Sequence, residues 1–470
     1  MAITASTAHA VIAVNRFGLG AKSGELAAAQ ANPKQWLIEQ LQPVSLNKEL
    51  PNSNDIFTLV TEYRKLKRQA KMAEASIFSA KEMQAETMTE SMGGKKKSNK
   101  NIDINTRKLL QKTYRTLSTD TFVQAMNSDN SLSYRLLDFF SNHFSVTANG
   151  LPMGPLSTTL EREAIADNLL GNFEDMLLAV TKHPAMIIYL NNEKSVGPSS
   201  KAAKKDRGLN ENLAREILEL HTLGVTGGYN QNDVIELAKA ITGWSVASRR
   251  DSGSGFMFRG GAHEPGNRLL LGKKYTQKGI KQGEAMLLDL ARHPNTAKHI
   301  CSKLVKHFIS DQPSEQLVAS LQQRWQATNG NIKEVMIALI NHQQAWLPQQ
   351  QKFKTPREFV MSTYRALGMK KMPDKYLFYI LNTFGQQPMQ AGSPAGYSDE
   401  QEDWNGGNAL MARIEWTATI SKRKRHNAEQ VMQQTLALNS DAHTYKSVVR
   451  AESRQAAMTL MLMSPEFLRR

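Results

Sequence analysis

Residues 207–229, RGLNENLAREILELHTLGVTGGY, predict the helix around which the rest of the chain is organised. Asn210 is a typical N-terminal cap, and Glu211 places negative charge in the first turn, where the helix dipole favours it. Gly224 suits the left-handed residue that ends many helices, and the glycine pair after it supplies a turn. The stretch therefore predicts one helix with a defined start and a defined end.

A histidine lies among the apolar residues of this helix. At about 100° per residue, one arc collects Leu213, Ala214, Ile217, Leu218 and Leu220. His221 falls near the centre of that arc, about 20° from Asn210. A titratable ring in an apolar face lowers stability unless it gains a partner or a function. Two interpretations stay open: a structural histidine that is bonded to a neighbouring carbonyl, and a functional site.

A second helix repeats the pattern over residues 131–146, SLSYRLLDFFSNHFSV. Its leucines and phenylalanines share one face, and His143 lies near the middle of that face. Further along, the turn GAHEPGN at 261–267 carries His263 and Glu264. Because two helices point a histidine into apolar surroundings, we expect a shared site.

Imidazole and carboxylate groups are the ligands that zinc and iron accept in proteins. The sharpest hypothesis is therefore a zinc or iron site formed by His143, His221 and His263, with Glu264 as a further candidate carboxylate. A metal ion there would activate water for hydrolysis, or iron would activate oxygen.

Three charged residues of the central helix are candidate catalytic groups: Glu211, Arg215 and Glu216. Their position on the polar arc, away from His221, also suits ion pairing or capping. The alternatives to a catalytic metal are a metal-free acid–base site and a purely structural polar network.

Short motifs do not decide between these alternatives. The chain contains no HExxH, CxxC, GxSxG, Walker A or Rossmann pattern. The other histidines in helical stretches are interpreted as surface or helix-end residues, namely His183, His293, His299, His307 and His342.

The hydrophobic pattern predicts a predominantly all-α fold, a multi-helix globular body that forms a single domain over residues 1–470. Residues 54–127 predict a long helical hairpin inserted into that body, with KKKSNK (95–100) at its tip. Short apolar runs bounded by glycines predict a small β-hairpin patch near 244–272. Residues 385–407 predict a long irregular loop, and a loop of this length usually has a function or covers the surface.

Composition narrows the class of protein. The chain has 470 residues, 40% of them hydrophobic and 22% charged, which is typical of a soluble globular protein. No apolar run is long enough for a membrane span. The first residues lack a signal peptide pattern, which predicts a cytoplasmic location, and the single cysteine, Cys301, excludes an internal disulfide.

The net charge of +16 concentrates in runs at 64–71, 95–100, 201–207 and 422–425. Such runs bind anionic polymers in some proteins and form a solvated surface in most. Three of the four runs lie in or beside expected loops and lack the interleaved aromatic residues that single-strand stacking requires.

The central stretch GLNENLAREILELHTLGVTGGYNQNDVIELAKAITGW (208–244) resembles the signature of the bacterial family called domain of unknown function 1800. The resemblance extends over most of the chain through NRFGLG (15–20), WLIEQL (36–41), SNHFSV (141–146), HPAMIIYL (183–190), HPNTAKHICSKLVKHFIS (293–310), KTPREFV (354–360), SPAGYSDE (393–400) and SPEFLRR (464–470).

The resemblance implies a fold and its boundaries, but no activity, since the family is named for its unknown function. Relatives often look exported, so this chain departs from them, has lost a leader or is exported with a partner. Relatives are also commonly encoded beside a sulfatase-like family, which implies a binding or maturation partner. The function therefore has two hypotheses, a metal-assisted hydrolase or oxygenase and a non-enzymatic partner of a sulfatase-like protein, with a polyanion binder as a third.

Overall fold

Helices make up nearly all of the regular structure, which confirms the predominantly all-α prediction. The computed structural model describes residues 5–84, 96–150, 152–204, 208–247, 255–349, 352–423 and 426–470, without the side chains of 70, 73–105 and 423. Within these ranges, no helix is both long and apolar enough to cross a membrane.

The helices of the first half of the chain are α1 (Ala5–Ile12), α2 (Glu25–Gln30), α3 (Pro33–Glu39), α4 (Ser53–Gln84), α5 (Lys96–Asn127), α6 (Ser131–His143), α7 (Met153–Thr159), α8 (Phe173–Lys182), α9 (Pro184–Tyr189), α10 (Asn212–Glu216) and α11 (Gln231–Ala240). Those of the second half are α12 (Ile280–Arg292), α13 (Pro294–Phe308), α14 (Glu315–Ala327), α15 (Ile332–Asn341), α16 (Pro356–Ala366), α17 (Asp374–Thr383), α18 (Gly407–Arg423), α19 (Ala428–Thr435), α20 (His443–Val449), α21 (Arg454–Leu462) and α22 (Pro465–Leu468). Short π-helical segments cover Ala13–Phe17, Leu160–Ile165 and Ile217–His221, and short 3-10 segments cover Ala166–Asn168, Asn192–Lys194, Gly260–Ala262, Gln343–Trp346 and Gln401–Asp403.

The small β-structure lies where the sequence predicts it, as two antiparallel pairs. The pairs are β1 (Trp244–Val246) with β2 (Phe256–Phe258), and β3 (Arg268–Leu270) with β4 (Lys273–Tyr275). Trp244 lies opposite Phe258, and Arg268 lies opposite Tyr275. The sequence pattern does not predict β4, because its lysines are polar. Its turn is nevertheless encoded locally, since Leu271 and Gly272 both have the positive φ angles that a two-residue hairpin turn requires.

The central helix departs from the predicted single helix. α10 ends at Glu216, and the chain continues as a π-helical turn that ends at His221. The Thr222 hydroxyl donates to the Ile217 carbonyl at 2.6 Å, which satisfies a carbonyl that the wider turn leaves open. At the other end, the N-cap position is Glu211 and not the predicted Asn210, although Asn210 Oδ1 accepts from the Asn212 amide at 2.9 Å.

Two long helices form the predicted hairpin region. α4 and α5 pack against each other, and α5 also packs against α7. At the base, Ile56, Val60, Leu110 and Leu117 are buried. α5 begins at Lys96, earlier than predicted, so most of the lysine run is helical. Residues 85–95, including the glycine pair at the predicted tip, lie outside the described residues.

One hydrophobic core collects side chains from Ala10 near one end of the chain to Leu468 near the other. A single domain with the hairpin as an insertion therefore stays our proposal for its organisation. α6 and α13 cross this core and place polar side chains inside it. Residues 385–407, called here the cover loop, have no regular structure apart from the 3-10 turn Gln401–Asp403 and Gly407, the first residue of α18.

Candidate functional site

Two of the three predicted histidine ligands come together in the core. The ring centroids of His143, at the end of α6, and His221, at the end of the π-helical turn, lie 6.1 Å apart. Each side chain is only 1% exposed. His299 of α13 joins them, with its ring centroid 6.2 Å from that of His143. We call His143, His221, His299 and Lys303 the histidine cluster.

Hydrogen bonds occupy both ring nitrogens of His143. Its Nε2 donates to the backbone carbonyl of His221 at 3.2 Å, and its Nδ1 accepts from Lys303 Nζ at 3.1 Å. His299 donates from Nε2 to the carbonyl of Leu220 at 3.0 Å. These contacts tie α13 and α6 to the backbone of the π-helical turn. They do not involve the ring of His221, for which the structural and the functional interpretation both stay open.

Burial keeps the imidazoles of the cluster neutral. Burial, then the charge of Lys303, lowers the pKa of His143 well below its usual value, that of His221 to about 3 and that of His299 to about 4. Burial also lowers the pKa of Lys303 to about 8, although the charge of Asp399 opposes the change. A neutral imidazole accepts a hydrogen bond from the lysine, as His143 does.

The third predicted ligand, His263, makes different contacts. Its Nδ1 lies 3.1 Å from the carbonyl of Thr242, and burial lowers its pKa. Glu264 accepts from the Ser199 amide at 2.7 Å, which fixes the loop before α10. Among the residues that the structure describes, no group of three or more His, Cys, Asp or Glu side chains is placed to hold a metal ion. Main-chain carbonyls and Lys303 take ring nitrogens of His143 and His299, whereas Nε2 of His221 is buried without a hydrogen-bond partner among the described residues. The zinc or iron site stays a prediction.

The candidate catalytic residues of the central helix lie in a surface network. Glu211 pairs with Arg215 at 3.0 Å, and both contact Gln231 at the start of α11. Burial, and then the neighbouring Glu219, raises the pKa of Glu216. This arrangement matches the ion-pairing alternative and fastens α10 to α11.

A second buried site lies one helical turn further along α13. His307 is 8% exposed, and its Nδ1 lies 2.9 Å from Oδ1 of Asp399 in the cover loop. Its Nε2 is buried without a hydrogen-bond partner among the described residues. His307 lies in the last turn of α13, as the helix-end interpretation expects, but its side chain is buried. His299 lies within α13 and is half-buried, so the surface or helix-end interpretation is wrong for it.

Charge fixes the protonation of this pair. Burial opposes ionisation of Asp399, but His307 and Lys352 outweigh it and lower the pKa of Asp399 to about 2. Burial lowers the pKa of His307, and Asp399 only partly offsets that effect. At neutral pH the pair is therefore an anionic carboxylate that holds a neutral imidazole by its Nδ1–H.

His307 and Asp399 line a cavity of about 110 Å³, called here the acid–base cavity. This volume has room for several water molecules or one small functional group. Glu161 lines the same cavity and is 5% exposed. Burial raises its pKa, although Arg357 opposes the change. The cavity thus combines a neutral imidazole with a carboxyl group that holds its proton more tightly than usual.

Buried ion pairs form the rest of the wall. Glu358 forms ion pairs with Arg135 at 2.5 Å and with Arg470 at 2.8 Å. The capping box of α16 holds Glu358 in place, since its carboxylate accepts from the Thr355 amide at 2.9 Å. Arg357 and Asp138 of α6, which also line the cavity, form a second ion pair at 2.8 Å.

The cover loop is fixed onto α6 beside the cavity. Asn142 accepts from the Tyr397 amide at 2.7 Å and donates to the Tyr397 carbonyl at 2.8 Å. The Trp404 indole donates to the Ser398 carbonyl at 2.9 Å. Gly396, with a φ of 85°, sits directly against Asn142. These contacts hold Asp399 in position for His307.

The spacing of α13 connects the two sites. His299, Lys303 and His307 follow one another at intervals of four residues, so they form one stripe along the helix. That stripe is visible in HPNTAKHICSKLVKHF and is the sequence signal that identifies the second site. Asp399 gives no such signal, because it lies in an irregular loop.

Comparison with known proteins identifies the family of this chain but no activity. The family model described as "Protein of unknown function (DUF1800)" matches residues 12–469. No curated protein and no solved structure matches the chain. Because the match covers nearly the whole sequence, the chain belongs to this family of proteins of unknown function, DUF1800.

Proposed function

We propose that this protein is a hydrolase that works by metal-independent acid–base catalysis in the acid–base cavity. The observation that carries the proposal is the His307–Asp399 pair. Nε2 of His307 has no partner among the described residues, and its imidazole lines the cavity. A buried imidazole nitrogen without a partner lowers stability, so its retention suggests a role.

His307 acts as the general base. Asp399 holds Nδ1–H, which leaves the lone pair on Nε2 to accept a proton from a water molecule in the cavity. As the water oxygen bonds to an electrophilic carbon or phosphorus atom of the substrate, its proton moves to Nε2. The Asp399 carboxylate stabilises the imidazolium that forms.

Glu161 acts as the general acid. Burial raises its pKa and so favours the protonated carboxyl group, and the proton of that form moves to the leaving group as the bond to the substrate breaks. The proton on His307 then passes through water to the Glu161 carboxylate, which restores both groups. Net consumption is one water molecule per bond broken.

Metal assistance is not part of this proposal. His143 has both ring nitrogens engaged, and His263 is bound to Thr242 instead of facing His143. The histidine cluster packs against the cavity wall through Phe139, whose ring contacts both His143 and His307.

The test is the pH dependence of hydrolysis, measured with a panel of chromogenic esters, anilides and phosphate esters. For any substrate that is cleaved, kcat/KM should fall at low pH as His307 gains a proton and at high pH as Glu161 loses one. Glu161→Gln should remove the high-pH limb. Hydrolysis whose pH profile is unchanged in both Glu161→Gln and His307→Gln contradicts the proposal.

A further inference from the structure

A groove of about 920 Å³ runs between the helical hairpin and α17. Its walls come from α4, α5, the start of α7 and α17. It is separate from the histidine cluster, but Gln387 of the cover loop lines both this groove and the acid–base cavity. The Tyr114 hydroxyl on the groove wall donates to the Pro388 carbonyl of the same loop.

Positive charge dominates the groove. Four cations line it: Lys67, Arg107, Arg115 and Lys375. None of its described lining residues is acidic. No acidic side chain in the described part of the chain forms an ion pair with any of the four. Cations placed together without carboxylates attract an anionic chain.

Aromatic rings line the same groove. Tyr379 of α17 is 65% exposed, far more than a tyrosine ring that packs in the core. Tyr63 of α4 lines the groove from another helix, and Nζ of Lys67 lies 6.0 Å from the centroid of its ring. Tyr63 and Lys67 are four residues apart on α4, and Lys375 and Tyr379 are four residues apart on α17. The fold brings these two pairs, which are distant in sequence, to one groove.

We propose that this groove binds single-stranded nucleic acid. Lysine and arginine side chains neutralise phosphates, while exposed aromatic rings stack on bases regardless of sequence. An acidic peptide would use the cations but would gain little from flat tyrosine rings. The inference does not depend on the proposed hydrolase activity, although a bound strand would pass beside the cover loop.

The experiment measures binding of a fluorescein-labelled oligothymidine to the full chain by fluorescence anisotropy. The affinity should fall steeply between about 50 and 200 mM salt. Arg115→Gln should weaken binding several-fold and reduce the salt dependence by about one counterion. Tyr379→Ala should weaken binding by about 5- to 100-fold, and Tyr379→Phe, which keeps the ring, should not.

Two controls separate this groove from the rest of the molecule. Lys446→Gln removes an exposed cation of α20 outside the groove and should leave binding unchanged. His307→Gln should also leave it unchanged, which distinguishes this inference from the proposed hydrolase. Binding that is absent, or equal in wild type, Arg115→Gln and Tyr379→Ala, overturns the inference. So does binding of a sulfated polysaccharide that depends on Arg115 while oligothymidine does not bind.

Discussion

Nδ1 of His307 lies 2.9 Å from Oδ1 of Asp399, a contact that joins residues 92 positions apart in the sequence. The carboxylate holds one side of the imidazole, and the other nitrogen has no partner among the described residues. Because a loop supplies one member and a helix the other, the pair exists only when the cover loop is seated on the body.

Asp399→Asn tests the electrostatic half of this pair. Removing the carboxylate charge should lower kcat/KM by at least about 10²-fold, because the base loses its orientation and the charge that stabilises its protonated form. The low-pH limb of the activity profile should also move to lower pH, since Asp399 raises the pKa of His307. The pH profile of kcat/KM measures both effects, and an unmoved limb would speak against the pair.

Seating of the cover loop depends on Gly396. A Cβ at this position would clash with the carbonyl oxygen of Asn142, and its φ of 85° disfavours any other residue. Gly396→Ala should therefore destabilise the protein by at least about 1–2 kcal/mol from the backbone alone, with faster amide hydrogen exchange in residues 385–407. Gly392→Ala, in the same loop with open space around it, is the matched control. Equal exchange rates in the two variants would refute the seating.

Glu358 holds two buried cations at once. Glu358→Gln keeps a capping residue at the start of α16 but leaves Arg135 and Arg470 without a counter-charge. Chemical denaturation should show a loss of about 3–5 kcal/mol in the free energy of unfolding. Glu334→Gln, which breaks an exposed pair with Arg324, should change it by less than about 1 kcal/mol. Similar losses in both variants would mean that burial is not the deciding factor.

The histidine cluster should make the fold sensitive to acid. The folded-state pKa values of His143, His221 and His299 lie below the usual 6.5, so the unfolded chain binds more protons than the folded chain below about pH 6.5. Their contribution to stability is complete above that pH and is lost as the pH falls towards about 4 and then 3. Each histidine adds up to about 1.4 kcal/mol per pH unit to the slope.

Denaturation measured from pH 7.5 to 4.5 checks this slope. His221→Gln should reduce the slope of stability against pH by the contribution of one proton, up to about 1.4 kcal/mol per pH unit. His443→Gln, at an exposed position of α20, should leave the slope unchanged. Identical slopes in wild type and His221→Gln would contradict the placement of a neutral imidazole in the core.

Periodicity was sufficient to predict the helices and the burial of His143 and His221. Both lie on apolar faces, and a helix turns its residues in a known order. Periodicity does not reveal the partner of each ring. His143 binds a main-chain carbonyl and Lys303, and His263 binds the carbonyl of Thr242, partners that a helical pattern does not show. The three-histidine metal site stays a prediction.

The acid–base cavity could not be predicted from the sequence for a related reason. His307 sits near the end of α13, where a surface position is the common outcome, and Asp399 belongs to an irregular stretch with no hydrophobic period. Only the folded path of the cover loop brings them together. The sulfatase-like partner and the cytoplasmic location stay predictions, since neither depends on a contact within the chain.

The most direct measurement compares hydrolysis by wild type, His307→Gln and His221→Gln at pH 7.5, on protein shown by circular dichroism to be folded. The account predicts that His307→Gln lowers kcat/KM by about 10²- to 10⁴-fold, while His221→Gln stays within a few-fold of wild type. A large loss in His221→Gln with His307→Gln unaffected would contradict it and would move the active centre to the histidine cluster.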